Sequence, residues 1–278
     1  METLAQGFPR PQASLRSAQD QGKLHADERD AWFVMARSPH TSGSGEPTID
    51  PRGGAVLLAA GRSTRMGGEV RKPFLRLGGR TVLEHCLRAF ASAACIEEFV
   101  LVIGDEDRAR GIAIAEATLG REIICVPGGA ERTDSVRSGV AAVSPDCEVV
   151  LVHDVARPLV RPEHIDAVAR TAGSEGAALL AVPVRDTIKR AREGRSTETL
   201  ERDHLWIAQT PQGFRVPLLR DLLERAAADG GFTPTDDAAL HEHYLGPVPL
   251  VEGDPSNFKL TTPSDLDMAE AVLQSREP

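Results

Sequence analysis

From Ala55 onward, five short apolar runs alternate with stretches of helical periodicity: Ala55 to Ala60, Phe99 to Ile103, Ile123 to Val126, Val149 to Val152 and Ala177 to Val182. Each run is too short for a typical helix and is bounded by turn or polar residues, so each reads as a strand. The run TVLE from Thr81 to Glu84 is a capping-box pattern that opens one helix, and TPSD from Thr262 to Asp265 opens another with proline at the first helical position. Strands alternating with helices predict parallel βαβ units under right-handed crossovers. The fold class is therefore α/β, a three-layer, doubly wound, mostly parallel sheet of Rossmann-like layout. Ligands of such sheets sit beyond the strand C-terminal ends.

Two regions depart from this rhythm. The first 50 residues mix Gln, Ser, Pro, Gly and charges without sustained periodicity and end in the run TSGSGEP, from Thr41 to Pro47, which predicts a disordered N-terminal tail over 1–50. Met35 offers an alternative start within it, and the acidic Asp27, Glu28 and Asp30 argue against an organellar transit peptide. The domain proper spans 51–278. Within it, Asp186 to Gln209 reads as two extended segments, TIKR from Thr187 and LWIA from Leu205, joined by a polar turn into an arm that projects from the sheet.

A chain of 278 residues with 41% hydrophobic content is ample for one large core. A net charge of −9 and a pI near 5.4 argue against a general nucleic-acid binder, so any phosphate handling is local. No apolar run approaches the roughly 18 residues that suggest a membrane span, and Cys86, Cys95, Cys125 and Cys147 lie too far apart for a C-x-x-C pair. The expectation is a reduced, cytoplasmic protein with no membrane partner. Of the 32 basic residues only Lys23, Lys72, Lys189 and Lys259 are lysine, which singles them out where a compact ammonium differs from a planar guanidinium.

The chemistry concentrates after the first strand, in Ala59, Ala60, Gly61, Arg62, Ser63, Thr64, Arg65 and Met66, followed by Arg71, Lys72 and Pro73. A glycine-bearing loop at that point can turn backbone N–H groups toward phosphate while Arg65 and Lys72 add mobile positive charge. Its spacing matches neither the dinucleotide fingerprint nor the Walker loop. A glycine pair, Gly128 and Gly129, follows the third strand and leads into Glu131, Arg132, Thr133, Asp134 and Ser135. The fourth strand ends in His153, Asp154, Val155, Ala156, Arg157 and Pro158. An aspartate there can orient a sugar hydroxyl or hold Mg²⁺, whereas His153 reads as a packed residue. His241 and His243, two apart, splay on a helix and do not make a metal pair.

These segments, AAGRSTRM with a lysine six residues on, PGGAERTDS, HDVARP, PVRDTIKR, TPQGF and VEGDPSNFKLTTPSDL, together resemble the 2-C-methyl-D-erythritol 4-phosphate cytidylyltransferases of the non-mevalonate isoprenoid pathway. The resemblance covers residues 54 to 275. It implies a nucleotidyltransferase that binds CTP and a polyol phosphate, depends on Mg²⁺ held mainly by the phosphates, and acts as a homodimer. It implies Ala59, Ala60, Gly61, Gly129 and Ser135 as nucleotide contacts, with Arg65 and Lys72 as the catalytic cations on the triphosphate. Asp154, Arg157, Thr187 and Lys259 match polyol-phosphate contacts, and Arg202 and Thr210 match residues lent by the arm to a neighbouring subunit. The chain departs from the family pattern at Pro73, at Ala130 where an acidic residue is common, and at Val155, a bulkier neighbour to the sugar than the usual alanine. The same chemistry on D-ribitol 5-phosphate is the nearest alternative. A glycosyltransferase or an inactive nucleotide-binding regulator of similar fold are the others. The D-x-D matches at Asp105 with Asp107 and Asp265 with Asp267 read as helix features rather than metal motifs.

Overall fold

A computed structural model describes residues 50–61, 70–230 and 232–276. The N-terminal tail expected over 1–50 lies, but for residue 50, outside the described residues, as does the loop segment 62–69 that carries Arg65. The chain runs through β1 (Gly53–Leu58), a 3₁₀ turn (Lys72–Phe74), β2 (Arg76–Leu77), β3 (Arg80–Thr81), α1 (Val82–Ala91), β4 (Ile96–Ile103) and α2 (Arg108–Leu119). It continues through β5 (Ile124–Pro127), α3 (Arg132–Ala141), β6 (Val149–Asp154), α4 (Pro162–Glu175) and β7 (Ala177–Pro183). The last part comprises β8 (Lys189–Arg192), β9 (Arg195–Thr199), β10 (Trp206–Arg215), α5 (Val216–Asp229), α6 (Ala238–Tyr244), β11 (Leu250–Glu252) and α7 (Pro263–Arg276).

Seven strands form one sheet in the order β11-β7-β10-β6-β1-β4-β5, parallel but for β10, which runs antiparallel to both its neighbours. Strand alternation divides the core in two. Ala55, Leu57, Leu101, Leu151 and Leu180 point to one face, under Leu83, Leu87 and Phe90 of α1 and Ile165 and Val168 of α4. Val56, Val100, Val102, Val150, Val152 and Leu179 point to the other, under Val136 and Val140 of α3 and Leu219, Leu222 and Leu223 of α5. Burial on both faces is why the strands read as continuous apolar runs. The expected capping box forms, with Thr81 Oγ1 accepting from Glu84 N–H and Glu84 Oε2 accepting from Thr81 N–H. At the start of α7, Asp265 Oδ2 accepts from the N–H groups of Thr261 and Thr262, which places that D-x-D match in helix capping.

The arm is paired differently from the expectation. TIKR does not meet LWIA: Lys189–Arg192 pairs with Arg195–Thr199, through a turn whose two central residues, Glu193 (φ 51°) and Gly194 (φ 74°), both have positive φ. That is the backbone of a tight hairpin turn that matches strand twist. Every residue of β8 and β9 is exposed, so a polar strand found a polar partner. LWIA instead leads into β10, where Ile207 and Ala208 pair with Val182 and Ala181 of β7. The apolar pattern misses two strands of the sheet, the three-residue β11 and β10, the latter because Gln209, Pro211 and Gln212 interrupt it. Pro211, after a cis peptide bond, sits where the register between β10 and β7 shifts, the one kind of place a central strand tolerates proline.

Candidate active site

Strand order reverses direction at β1: the chain first builds outward through β4 and β5, then crosses back to place β6 on the opposite side. The C-terminal ends of β1 and β6 therefore flank a topological switch point, where open α/β sheets bind ligands. Ala59, Ala60 and Gly61 follow β1, and Asp154 closes β6. A cleft at the C-terminal ends of β1, β4 and β5 has a volume of about 480 Å³ and is lined by Ala60, Arg71, Gly104, Asp105, Glu106, Pro127, Gly128 and Gly129.

The glycine pair after β5 is there for close approach. A Cβ on Gly128 would lie 2.2 Å from the Cβ of Ala60, and one on Gly129 would lie 2.2 Å from the Cβ of Asp134. Only glycines let the two loops touch. Gly129 N–H donates to Ser135 Oγ at 3.0 Å, so the structure brings together Gly129 and Ser135 as expected and sets them beside Ala60. Lys72 is half-buried at the start of its 3₁₀ turn, with Pro73 taking a first-turn position that needs no donor. Pro73 is thus accommodated. Arg71 pairs with Glu106 and, at 3.1 Å, with Asp107.

The second half of the site is a charged cluster around Asp154. Its Oδ2 accepts from Lys259 Nζ at 2.6 Å and its Oδ1 from Arg132 Nε at 3.2 Å. Arg132 also forms a bidentate pair with Asp237, at 2.9 and 2.8 Å. Burial alone would raise the pKa of Asp154, but Arg132 and Lys259 outweigh it and hold the carboxyl well below the usual carboxylate range. Arg157 is fastened by Nη1 to the carbonyl of Asn257 at 2.8 Å and by Nη2 to that of Ala208 at 3.2 Å. Its Nε hydrogen is buried and has no acceptor among the described residues.

His153 lies under this cluster, fully buried, between Thr210 Oγ1 at 3.0 Å and the Arg157 carbonyl at 3.1 Å. Burial pushes its pKa down to about 4, so it is neutral near pH 7 and acts as packing, as the sequence indicated. Thr210 itself departs from the expectation that the arm carries it to a neighbouring subunit. It is buried in β10 of the main sheet, where Oγ1 accepts the Asp154 N–H of its own chain at 3.1 Å. Val155 departs too: its side chain is buried in the core rather than beside a sugar. Arg202 and Thr187 lie at the exposed base of the arm, with Arg202 Nη1 donating to the Arg185 carbonyl at 2.6 Å. Among the described residues, no hydrogen bond or ion pair joins either of them to the Asp154 cluster of the same chain.

Two residues central to the cluster were passed over by sequence reasoning. Arg132 looked like one more arginine after a glycine pair, and Asp237 lies 105 residues from it in a segment without a motif. Only the fold makes them neighbours.

The comparisons with known proteins agree with this arrangement. The sequence profile of the 2-C-methyl-D-erythritol 4-phosphate cytidylyltransferase family matches residues 54–275. A protein of that description from Pelotomaculum thermopropionicum is 45% identical over 226 residues, which cover 80% of this chain and 94% of the relative. One from Bacillus velezensis is 46% identical over 223 residues, covering 79% and 95%. Among solved structures, the 4-diphosphocytidyl-2C-methyl-D-erythritol synthase of Anaerococcus prevotii superposes with a TM-score of 0.72 at 31% identity, over 81% of this chain and 97% of that one. With the matched segment spanning the sheet and both halves of the site, the chain belongs to the 2-C-methyl-D-erythritol 4-phosphate cytidylyltransferase family.

Proposed function

We propose that this protein transfers CMP from CTP to 2-C-methyl-D-erythritol 4-phosphate, releasing pyrophosphate, as a cytoplasmic homodimer in isoprenoid precursor biosynthesis. The observation that carries this reading is the pairing of two subsites at one switch point. A cleft walled in part by Ala60, Gly104, Gly128 and Gly129 suits the nucleotide, and the Asp154, Arg157 and Lys259 cluster at the end of the neighbouring β6 suits a phosphorylated polyol.

The acceptor's phosphate monoester is largely dianionic near neutral pH, so an oxygen of it attacks the α-phosphorus of CTP without a general base. The new P–O bond forms as the bond from the α-phosphorus to the pyrophosphate oxygen breaks, and no proton need move. What the protein must do is hold two mutually repelling anions in line and neutralise the charge that builds on the leaving group. Arg65 and Lys72 take the triphosphate. Lys259 and Arg157 take the acceptor phosphate, while Asp154 accepts from an acceptor hydroxyl.

Magnesium fits as a passenger on the phosphates. Among the described residues no group of three or more His, Cys, Asp or Glu side chains could cage a metal, and Asp154 has both oxygens engaged by cations. Mg²⁺ arriving with CTP would supply further charge neutralisation at the phosphoryl oxygens. Among the described residues no helix is long and apolar enough to cross a membrane.

The test is pyrophosphate release from CTP with each acceptor in turn. Turnover with methylerythritol phosphate at least tenfold above that with D-ribitol 5-phosphate is expected. Preference for ribitol phosphate would reassign the acceptor, and release with neither would remove the reading.

A further inference from the structure

We propose that Arg132 is the positioning residue of the acceptor subsite: anchored on Asp237, it keeps hold of Asp154 Oδ1 while Lys259 leaves Oδ2 for the incoming phosphate. The inference rests on the reading of Asp154 and Lys259 as acceptor contacts.

The two cations on Asp154 are not equivalent. Lys259 makes one contact, Nζ to Oδ2 at 2.6 Å, and its side chain is 40% exposed. An ammonium on a flexible stem can rotate from carboxylate to phosphate at little cost. Arg132 makes three contacts with one rigid fork: Nη1 and Nη2 to the two oxygens of Asp237, and Nε to Asp154 Oδ1. Asp237 is only 2% exposed, so a guanidinium that swung away would strand a buried carboxylate. Its segment is further fixed from β10, where buried Gln212 accepts from Ala238 N–H at 2.8 Å and donates to Asp236 Oδ2 at 2.9 Å. Arg132 is therefore held in place, and Lys259 is the partner that exchanges.

The exchange balances in charge. Without substrate, Asp154 and Asp237 are matched by Arg132 and Lys259. When the acceptor dianion draws Lys259 away, Asp154 keeps one cation, stays ionised, and offers Oδ2 to an acceptor hydroxyl. Burial of Arg132 works against its charge, but the carboxylates of Asp237 and Asp154 outweigh that and hold the guanidinium above its ordinary pKa. Arg132 is also the first residue of α3, which follows the loop carrying Gly129 and presents Ser135 one turn on. The residue that aims the acceptor carboxylate thus belongs to the element that shapes the nucleotide end, so the two subsites share one rigid part.

Arg132→Lys tests this, because lysine keeps the charge but cannot bridge two carboxylates as a fork. In the full-length protein the KM for methylerythritol phosphate is expected to rise about tenfold or more, with the KM for CTP changed by less than about twofold. The acid limb of kcat/KM for the acceptor should move to higher pH, since a lysine drawn to Asp237 gives up the direct hydrogen bond to Asp154 that helps depress its pKa. The other groups facing it, namely Lys259, Arg157, neutral His153, Asp237 and the Cys86 thiol, are unchanged in the variant. Carboxyl-carbon NMR of Asp154 in the ligand-free protein should show the same rise. Should Arg132→Lys fail to fold, Asp237→Asn removes the anchor and is expected to raise the acceptor KM likewise, without the rise in Asp154 titration because it also removes an anion facing Asp154. A lowered thermal midpoint with unmoved acceptor KM and unmoved Asp154 titration would reduce Arg132 to a structural residue and overturn the proposal. Failure of the wild type to turn over methylerythritol phosphate would instead sink the functional reading, and the NMR titration would then decide the role of Arg132 alone.

Discussion

Single side chains divide here between those that hold charge for the reaction and those that hold the holders. On the proposed reading Lys72, half-buried in its 3₁₀ turn, is of the first kind, and so is Arg65, which lies outside the described residues. Lys72→Ala and Arg65→Ala are each expected to lower kcat by about 10² or more, because the charge they neutralise is greatest in the transition state. Lys72→Arg should recover only part of that loss; steady-state turnover at saturating CTP reads both, and near-normal kcat in Lys72→Ala would remove the assignment. His153 belongs to the second kind, and its cost appears in stability. The folded protein keeps it neutral down to about pH 4, whereas the unfolded chain protonates it near 6.5. Between those values the unfolded state binds the extra proton, so stability falls as pH is lowered through that window, by up to about 3 kcal/mol from this one group. Chemical denaturation from pH 7 to pH 4 should show it, and a flat profile would mean that His153 is charged in the fold. Asp154, with its depressed pKa, loses its contribution only at still lower pH.

Elements meet at the site with little room to spare, and the tightest junction is the one between the loop after β1 and the loop after β5. Gly128→Ala would put a methyl against Ala60 at 2.2 Å, so one loop must yield. Overpacking of this kind costs about 1–3 kcal/mol, and here the displaced backbone lines the nucleotide cleft. The KM for CTP should rise at least several-fold together with a drop in thermal midpoint; an unchanged KM would show that the loops do not jointly form the nucleotide wall. This junction marks where sequence reading stopped. The parallel strands were legible because burial on both faces writes them as unbroken apolar runs, and the capping box at Thr81 because both partners lie within one turn. β10 was not, since Gln209, Pro211 and Gln212 serve the network behind the site rather than the core, with Gln209 donating to the Asp254 carbonyl and accepting from Asn257. The arm was legible as an arm but not in its pairing, because a polar strand carries no pattern that names its partner. For the same reason the Arg132–Asp237 pair, joined only by the fold, left no mark in the order of residues, while the motif residues Ala60, Gly129, Asp154 and Lys259 did.

At the scale of the whole molecule, a chain of net charge −9 binds two anions, so its cations must be gathered where they act and the gathering need not be confined to one chain. The arm is the part left over. Lys189, Arg190, Arg192 and Arg195 stand exposed on β8 and β9, and at its base Trp206 and Ile207 are 37% and 54% exposed, an apolar pair a folded monomer has reason to cover. A two-stranded hairpin is marginal alone, and a two-fold partner supplies the same covering surface twice. Arg202 sits at the base of this arm and is not joined to the Asp154 cluster of its own chain by any contact described above, in keeping with a role in the partner's acceptor subsite. Thr210, bonded to its own chain's Asp154, has no such freedom. These placements lead to a complementation experiment. An Arg202→Ala chain and a Lys72→Ala chain, each nearly inactive as a homodimer, should form on co-refolding a mixed dimer with one intact site, built from Lys72 of one chain and Arg202 of the other. A random mixture is about half heterodimer, and each heterodimer has one good site of two, so activity should climb toward roughly a quarter of wild type. Arg202→Ala with Arg157→Ala should complement in the same way, since Arg157 also acts on the side of the site that Arg202 enters from across the axis. Arg157→Ala with Lys72→Ala should not, because both residues belong to the same chain's site and every dimer then carries a defect in each. No recovery in the first pairing, with subunit exchange verified by mass, would mean that Arg202 serves its own chain or none.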